Sequence, residues 1–194
     1  KLGGKIVDQQ QFQTNQTDFK AVLTNIKAAD PEFIYAPSSL TTAPLIITQA
    51  RELGIDAVLG AGDTWENSTI IENAKGNAEG IVFSTFFDES APANEKFIEG
   101  FKKYLVENKQ PDIIPNFSAL SYDAYVCTLK AIEAAQSTDG EKIKEALKGV
   151  EFDGITGHIS FDENGDANKT LAFIKTVKDG KFELLTTTTV ETGK

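Results

Sequence analysis

The chain has 194 residues, 40% apolar and 25% charged, an ordinary globular composition with length enough for a real core. Its net charge of −10 and scattered basic residues argue against nucleic acid and anionic membrane surfaces, both of which need clustered Lys and Arg. No apolar run approaches the roughly 18 residues of a membrane span, and the single Cys127 cannot close an internal disulfide.

There is no Met, and Lys1-Leu2-Gly3-Gly4 reads as the last turn and C-cap of a helix. We therefore expect a piece of a longer protein, or a chain trimmed at its front. Lys5-Ile6-Val7 reads as a short strand, followed by a polar Gln/Thr/Asn loop. Asn15 or Thr17 is placed to cap a helix with Asp18 in its first turn. Phe19, Val22, Leu23 and Ile26 fall at i, i+3, i+4 and i+7, an amphipathic stripe. Asp30-Pro31 closes it.

The stretch from Phe33 to Glu66 organises the rest. Phe33-Ile34-Tyr35-Ala36 is a short strand stopped by Pro37 and two serines. Thr41 or Thr42 caps a helix with Pro44 in its first turn, and Gly54 suits the left-handed residue that ends it. Ala57-Val58-Leu59 is the next strand, left through Gly60-Ala61-Gly62-Asp63. Asn67 or Ser68 then caps a helix with Ile70 and Ile71 inward, and Gly80 to Phe86 is a further strand. The first 86 residues thus alternate β-α-β-α-β-α-β, which predicts a parallel sheet with helices on both faces and right-handed crossovers.

Asp88 to Asn94 is a composition break, as for a segment crossing to another lobe. Three helices follow, over about Glu95–Asn108, Ala119–Gln136 and from a Thr138-to-Glu141 capping box. The middle one is apolar nearly all round (Leu120, Tyr122, Val126, Leu129, Ile132), so deep burial is expected. These helices need a sheet to lie on, and the chain offers no strands for it. Beyond Gly154 the pattern turns to β. Ile155 to Phe161 reads as one strand, Asp162 to Asp166 as a turn and Leu171 to Val177 as another strand. Asp179-Gly180 is a type I′ hairpin signal leading into Phe182 to Leu185. The Thr-rich tail from Thr186 to Lys194 is expected to fray.

Ligands of open parallel sheets sit beyond the carboxyl ends of strands. Ser38, Ser39, Gly62, Asp63 and Trp65 lie at two such ends, and we read them as half of a small-molecule pocket. Asp63 is suited to take a ligand ammonium by charge-assisted hydrogen bonds, or to serve as an N-cap or Asx-turn residue. Trp65 is the only Trp and reads as pocket wall or core. Ser38 and Ser39 offer hydroxyls to a carboxylate or simply punctuate a loop. Asp162-x-Asn164-x-Asp166 has Ala167 and Phe173 where a calcium loop needs Gly and Glu. Gly60-Ala61-Gly62 lacks the rest of a dinucleotide or P-loop motif. His158 is the only His, which weighs against zinc and against a triad through Cys127. No residues are identified as catalytic or as metal ligands, no cofactor is implied, and an enzyme is not expected.

The runs LGGKIV (Leu2 to Val7), TDF (Thr17 to Phe19), ITQARELG (Ile47 to Gly54) and GDTW (Gly62 to Trp65) are followed by AEGIV (Ala78 to Val82), SYDA (Ser121 to Ala124) and FDGITGHISFDENGD (Phe152 to Asp166). In this order and spacing they resemble the second half of a type I periplasmic binding protein, in the branched-chain amino acid receptor family of ABC transporters. The resemblance covers nearly the whole chain. It implies two α/β lobes joined by three crossovers and closing on an amino acid. Residues 1–86 with 168–194 would form the C-terminal lobe, and residues 87–167 the helical part of the N-terminal lobe. The sheet for those helices would then come from a missing N-terminal segment or a second chain.

The resemblance further implies that Asp63 binds the ligand ammonium. Ser39 stands where the family often has a Tyr over the ligand, so the Ser38-Ser39-Leu40-Thr41 loop departs from the pattern and puts a branched-chain ligand in doubt. The implied partners are an amino acid and ABC permease subunits, with no nucleic acid. The implied location is periplasmic, or extracellular and lipid-anchored. The alternative is a sensor or regulatory domain of the same fold for another small amide or carboxylate.

Overall fold

The computed structural model describes residues 3–189. The chain divides into two compact units, Lys1–Ser84 with Ile174–Leu185, and Thr85–Phe173 with Thr186–Lys194.

The first unit carries α1 (Lys20–Ala28), β1 (Phe33–Tyr35), α2 (Ala43–Glu52), β2 (Val58–Ala61), a single 3-10 turn (Asp63–Trp65), α3 (Ser68–Asn73) and β3 (Val82–Thr85). After the second unit the chain returns through β6 (Leu171–Lys178) and β7 (Lys181–Thr189), giving the sheet order β1-β2-β3-β6-β7. β1, β2 and β3 are parallel, with Ile34 opposite Leu59 and Ala61 opposite Phe83. Asp179 and Gly180 both take positive φ, the type I′ geometry that their sequence signals. The Glu79 carboxylate accepts from the amides of Asp179 (3.0 Å) and Gly180 (2.7 Å), tying that turn to the entry of β3.

The core lies between the strands and the helices. Phe19, Leu23, Ile46, Ile47 and Ile70 from the helices meet Ile34, Leu59, Phe83 and Val177 from the sheet. α1 packs on α2 and α2 on α3, with Ile34 of β1 and Leu59 of β2 turned into the same core. The opposite face shows Phe33 and Tyr35, which are 50% and 63% exposed, with Val58. Phe33 lies across Gly60 there, where a Cβ would come within 2.4 Å of its ring.

Several local expectations need correction. Lys5-Ile6-Val7 is not a strand: Ile6 is 82% exposed and, among the described residues, joins no sheet. α1 begins later than Asn15 or Thr17 would set it, because Asp18 accepts from the Lys20 amide and the Gln49 side chain spans the Phe19 amide (2.7 Å) and the Thr17 carbonyl (2.8 Å). The strand read over Gly80 to Phe86 is shorter, limited to β3. Asn67, not Ser68, caps α3, accepting from the Thr69 amide. Lys1 and Leu2 of the supposed helix end, and residues 190–194 of the tail, lie outside the described residues. Thr186–Thr189 are not frayed but continue β7.

The second unit holds a 3-10 turn (Pro92–Asn94), α4 (Glu95–Glu107), α5 (Asn116–Ala135), α6 (Gly140–Leu147) and a small antiparallel pair, β4 (Phe152–Gly154) with β5 (Gly157–Ile159). The single strand expected over Ile155 to Phe161 is broken because the chain turns at Ile155-Thr156, with Gly157 at φ +92°. Asp139 rather than Thr138 caps α6, accepting from the Lys142 amide at 3.1 Å.

α5 is not deeply buried. Asn116, Ala119, Asp123, Cys127 and Ala131 face inward, while Phe117, Tyr122, Tyr125 and Leu129 are exposed. Cys127, Ala131 and Val150 form a small core with Ile143, Leu147 and Phe152 packed on it. Burial pushes the Cys127 thiol up from its ordinary pKa, so it stays protonated. The inner face is fixed by a polar latch. Asp123 accepts from the Ile155 amide (2.8 Å), the Thr156 amide (2.7 Å) and the Thr156 hydroxyl (2.7 Å). A Cβ on Gly154 would fall 2.6 Å from that carboxylate, so only glycine fits. The sequence pairing of SYDA with FDGITG has this contact as its physical content.

Candidate ligand-binding site

In the first unit β1 and β2 end side by side, the Ala36 amide bonding the Gly60 carbonyl at 2.8 Å. The loop after β1 carries Ser38 and Ser39, and the turn after β2 carries Gly62, Asp63 and Trp65. Parallel pairing therefore brings these five residues of the two segments to one edge of the sheet.

The two segments are joined through Ser38. Its carbonyl accepts from the Thr64 hydroxyl at 3.1 Å, and its own hydroxyl accepts from the Trp65 indole N–H at 3.2 Å. Trp65 is fully buried in the core, so its reach to this edge is through Ser38. Ser39 is exposed but engaged: its hydroxyl lies 2.9 Å from that of Thr41 and 3.0 Å from that of Thr42, and its carbonyl accepts from the Thr42 and Ala43 amides. It thereby opens α2, for which neither Thr41 nor Thr42 caps a helix amide with its side chain. Asp63, half-buried, is the first residue of its 3-10 turn. A Cβ at Gly62, the residue before Asp63, would meet nothing within 4 Å.

Two residues of the leading loop join this edge without having been singled out. Phe12 and Thr14, with Pro37, Ser38, Ser39 and Thr42, line a cavity of about 190 Å3. Phe12 stacks edge-on against Phe19 at 5.3 Å. Its signal was present, as the one aromatic in the polar loop before Asp18, but nothing in the spacing said where it would fold. A further pair was illegible: Lys175 of β6 donates to Glu66 at 2.5 Å, across 109 residues of sequence. The hint was a Lys in the middle of a mostly apolar strand.

His158 lies apart from this edge, in the second unit. Its Nδ1 is 2.9 Å from Asp153 and its Nε2 3.1 Å from Glu151. The hydrogen bond to Asp153, then the charges of Asp153 and Glu151, hold its pKa above the ordinary imidazole value. Asp162 closes its turn by accepting from the amides of Asn164 and Asp166, an Asx-type arrangement.

The sequence profile described as "Periplasmic binding protein" matches residues 1–181. A leucine-, isoleucine-, valine-, threonine- and alanine-binding protein of Pseudomonas aeruginosa is 31% identical over 84% of this chain and 43% of its own length. A leucine-binding protein of Thermotoga maritima has TM-score 0.78 and 35% identity, over 91% of this chain and 50% of that one. The branched-chain amino acid transporter substrate-binding protein of Streptococcus pneumoniae, solved with isoleucine, has TM-score 0.72 and 28% identity over 92% and 50%. The chain thus spans about half the length of the relatives it matches, and those relatives are binding proteins rather than enzymes. On profile, sequence and fold alike, the chain belongs to the periplasmic binding protein family and is similar to its branched-chain amino acid receptors.

Proposed function

We propose that this chain is part of the solute receptor of an amino acid ABC transporter, capturing its ligand by hinge closure. The observation that carries the reading is the edge where β1 and β2 end together, with Asp63 opening the turn after β2 next to the unobstructed Gly62. Asp63 takes the ligand ammonium. Gly62 leaves the approach clear, Ser38 and Ser39 form the adjoining polar wall, and Trp65 holds Ser38 in place. The ligand stabilises the closed state by the contacts it makes only there.

In this reading residues 1–86 with 168–194 belong to the C-terminal lobe and residues 87–167 to the helical part of the N-terminal lobe. The exposed face of α5 packs on a sheet supplied by the rest of the receptor. The protein works in the periplasm, or outside the cell on a lipid anchor, and delivers its ligand to permease subunits.

Calorimetry of the receptor, extended by its upstream sequence, against the twenty amino acids tests this. Binding of an aliphatic amino acid is the expected result, and silence across all twenty removes the amino acid assignment. Asp63→Ala is expected to cost about 2–5 kcal/mol of affinity, as for a buried charge left unpaired. Affinity within threefold of wild type in that variant would remove Asp63 from the site.

A further inference from the structure

We propose that Glu66 and Lys175 are positioning residues, an internal ion pair that fixes the Asp63 turn to the returning strand and so sets ligand affinity. The proposal rests on the reading of Asp63 as the ligand carboxylate.

The turn Asp63–Trp65 is a single 3-10 turn, closed by the Trp65 amide on the Gly62 carbonyl (3.2 Å) and the Glu66 amide on the Asp63 carbonyl (3.0 Å). A turn of this length has no conformational stability of its own. Its geometry must come from anchors, and three are present. Thr64 and Trp65 bond Ser38 of the neighbouring loop. The third is Glu66, the residue that ends the turn, whose carboxylate accepts from the Lys175 ammonium at 2.5 Å.

The first two anchors are local, binding one loop to the next. The third reaches the far segment of the unit: Lys175 is the second residue after the chain returns at Ile174. Both side chains are nearly sealed from water, 7% exposed for Lys175 and 9% for Glu66. Burying two charges costs desolvation that their attraction barely offsets, so such a pair is a poor device for stability alone. It is a good device for geometry, because a direct contact between two buried side chains holds both segments to one arrangement. Asp63 stands at the start of the turn that this pair ends, so a ligand group held by Asp63 depends on where Glu66 is held.

The test uses the full chain with its upstream sequence and two readouts, calorimetry against the twenty amino acids and emission of Trp65, the only Trp and itself inside the turn. Lys175→Met is expected to lower affinity about tenfold or more and to shift Trp65 emission to the red. Combining Glu66→Met with Lys175→Met removes both charges at similar volume. It is expected to keep the urea midpoint yet still lose affinity about fivefold, which a merely structural role would not do. This variant also carries the test if the single substitution fails to fold. Wild-type emission and wild-type affinity in the double variant would overturn the proposal. If the wild-type receptor binds none of the twenty, the amino acid reading has failed, and positioning is then decided by emission and by amide exchange over residues 63–67. Unchanged values there overturn it; a red shift with faster exchange supports it.

Discussion

The two units reach order by different means. In the first, Ile47, Leu59, Trp65, Ile70 and Phe83 are fully buried in one cluster drawn from three helices and the sheet. In the second, the buried apolar cluster is Cys127, Ala131 and Val150, and the longest helix turns Phe117, Tyr122, Tyr125 and Leu129 to the outside. What fixes the second unit instead is the Asp123 latch, where one carboxylate accepts three hydrogen bonds from the β4–β5 turn. The lesson is that an apolar helix is buried only when something is there to cover it. α5 has the sequence of a core helix, yet one of its apolar faces is exposed among the described residues.

The largest test of that contrast is Asp123→Ala. It leaves two amides and the Thr156 hydroxyl in a buried place without their acceptor, an expected loss of about 3–5 kcal/mol. Because Trp65 belongs to the first unit, its fluorescence follows that unit while far-UV circular dichroism follows both. Urea transitions by the two probes are expected to separate in this variant, the dichroism moving to lower urea and the fluorescence holding. Coincident shifts would show that the units unfold as one.

Next in size is a pair of leucine truncations. Leu59→Ala empties a fully buried site and is expected to cost about 2–5 kcal/mol by urea unfolding. Leu129→Ala, on the exposed face of α5, is expected to cost about 0.5 kcal/mol or less in this chain. The comparison sharpens if the same Leu129→Ala change costs markedly more in the upstream-extended receptor, where the proposed sheet covers that face. Equal costs in the two would leave α5 a solvent-facing helix.

The smallest expected effect is on pH. His158 has its folded pKa raised, chiefly by its hydrogen bond to Asp153, so its contribution to the β4–β5 pair is full below the unfolded imidazole value. That contribution is lost as pH rises through the folded value. An NMR titration of His158 is expected to show a midpoint above that of a free imidazole, moving down in Asp153→Asn. A midpoint unmoved by that substitution would mean the pair does not form in solution.

Much of the first unit was legible because its signals are local. The Phe19-to-Ile26 stripe, Pro44 in the first turn of α2, the left-handed Gly54 and the Asp179-Gly180 turn each act within a few residues, and each appears in the structure where it was read. Errors arose where a local signal needed a distant partner. Ile6 and Val7 have strand propensity but, among the described residues, join no sheet, and the run from Ile155 to Phe161 is broken by a turn that Asp123, some thirty residues earlier, holds in place. At the candidate site, the strand-end residues were found by topology alone. The engagement of Ser39 in opening α2, and the folding of Phe12 onto the Ser38 loop, were not.

By itself, then, the sequence determined the parallel βα order, the Asp179-Gly180 turn and the family resemblance, because periodicity, turn chemistry and motif spacing are written in neighbouring residues. Tertiary structure alone decided that Trp65 is core and reaches the strand-end edge only through Ser38, that Asp123 locks Gly154, and that Glu66 meets Lys175 across 109 residues. Those facts depend on which buried polar groups find partners once the chain has closed, and no window of sequence contains both halves of such a pair.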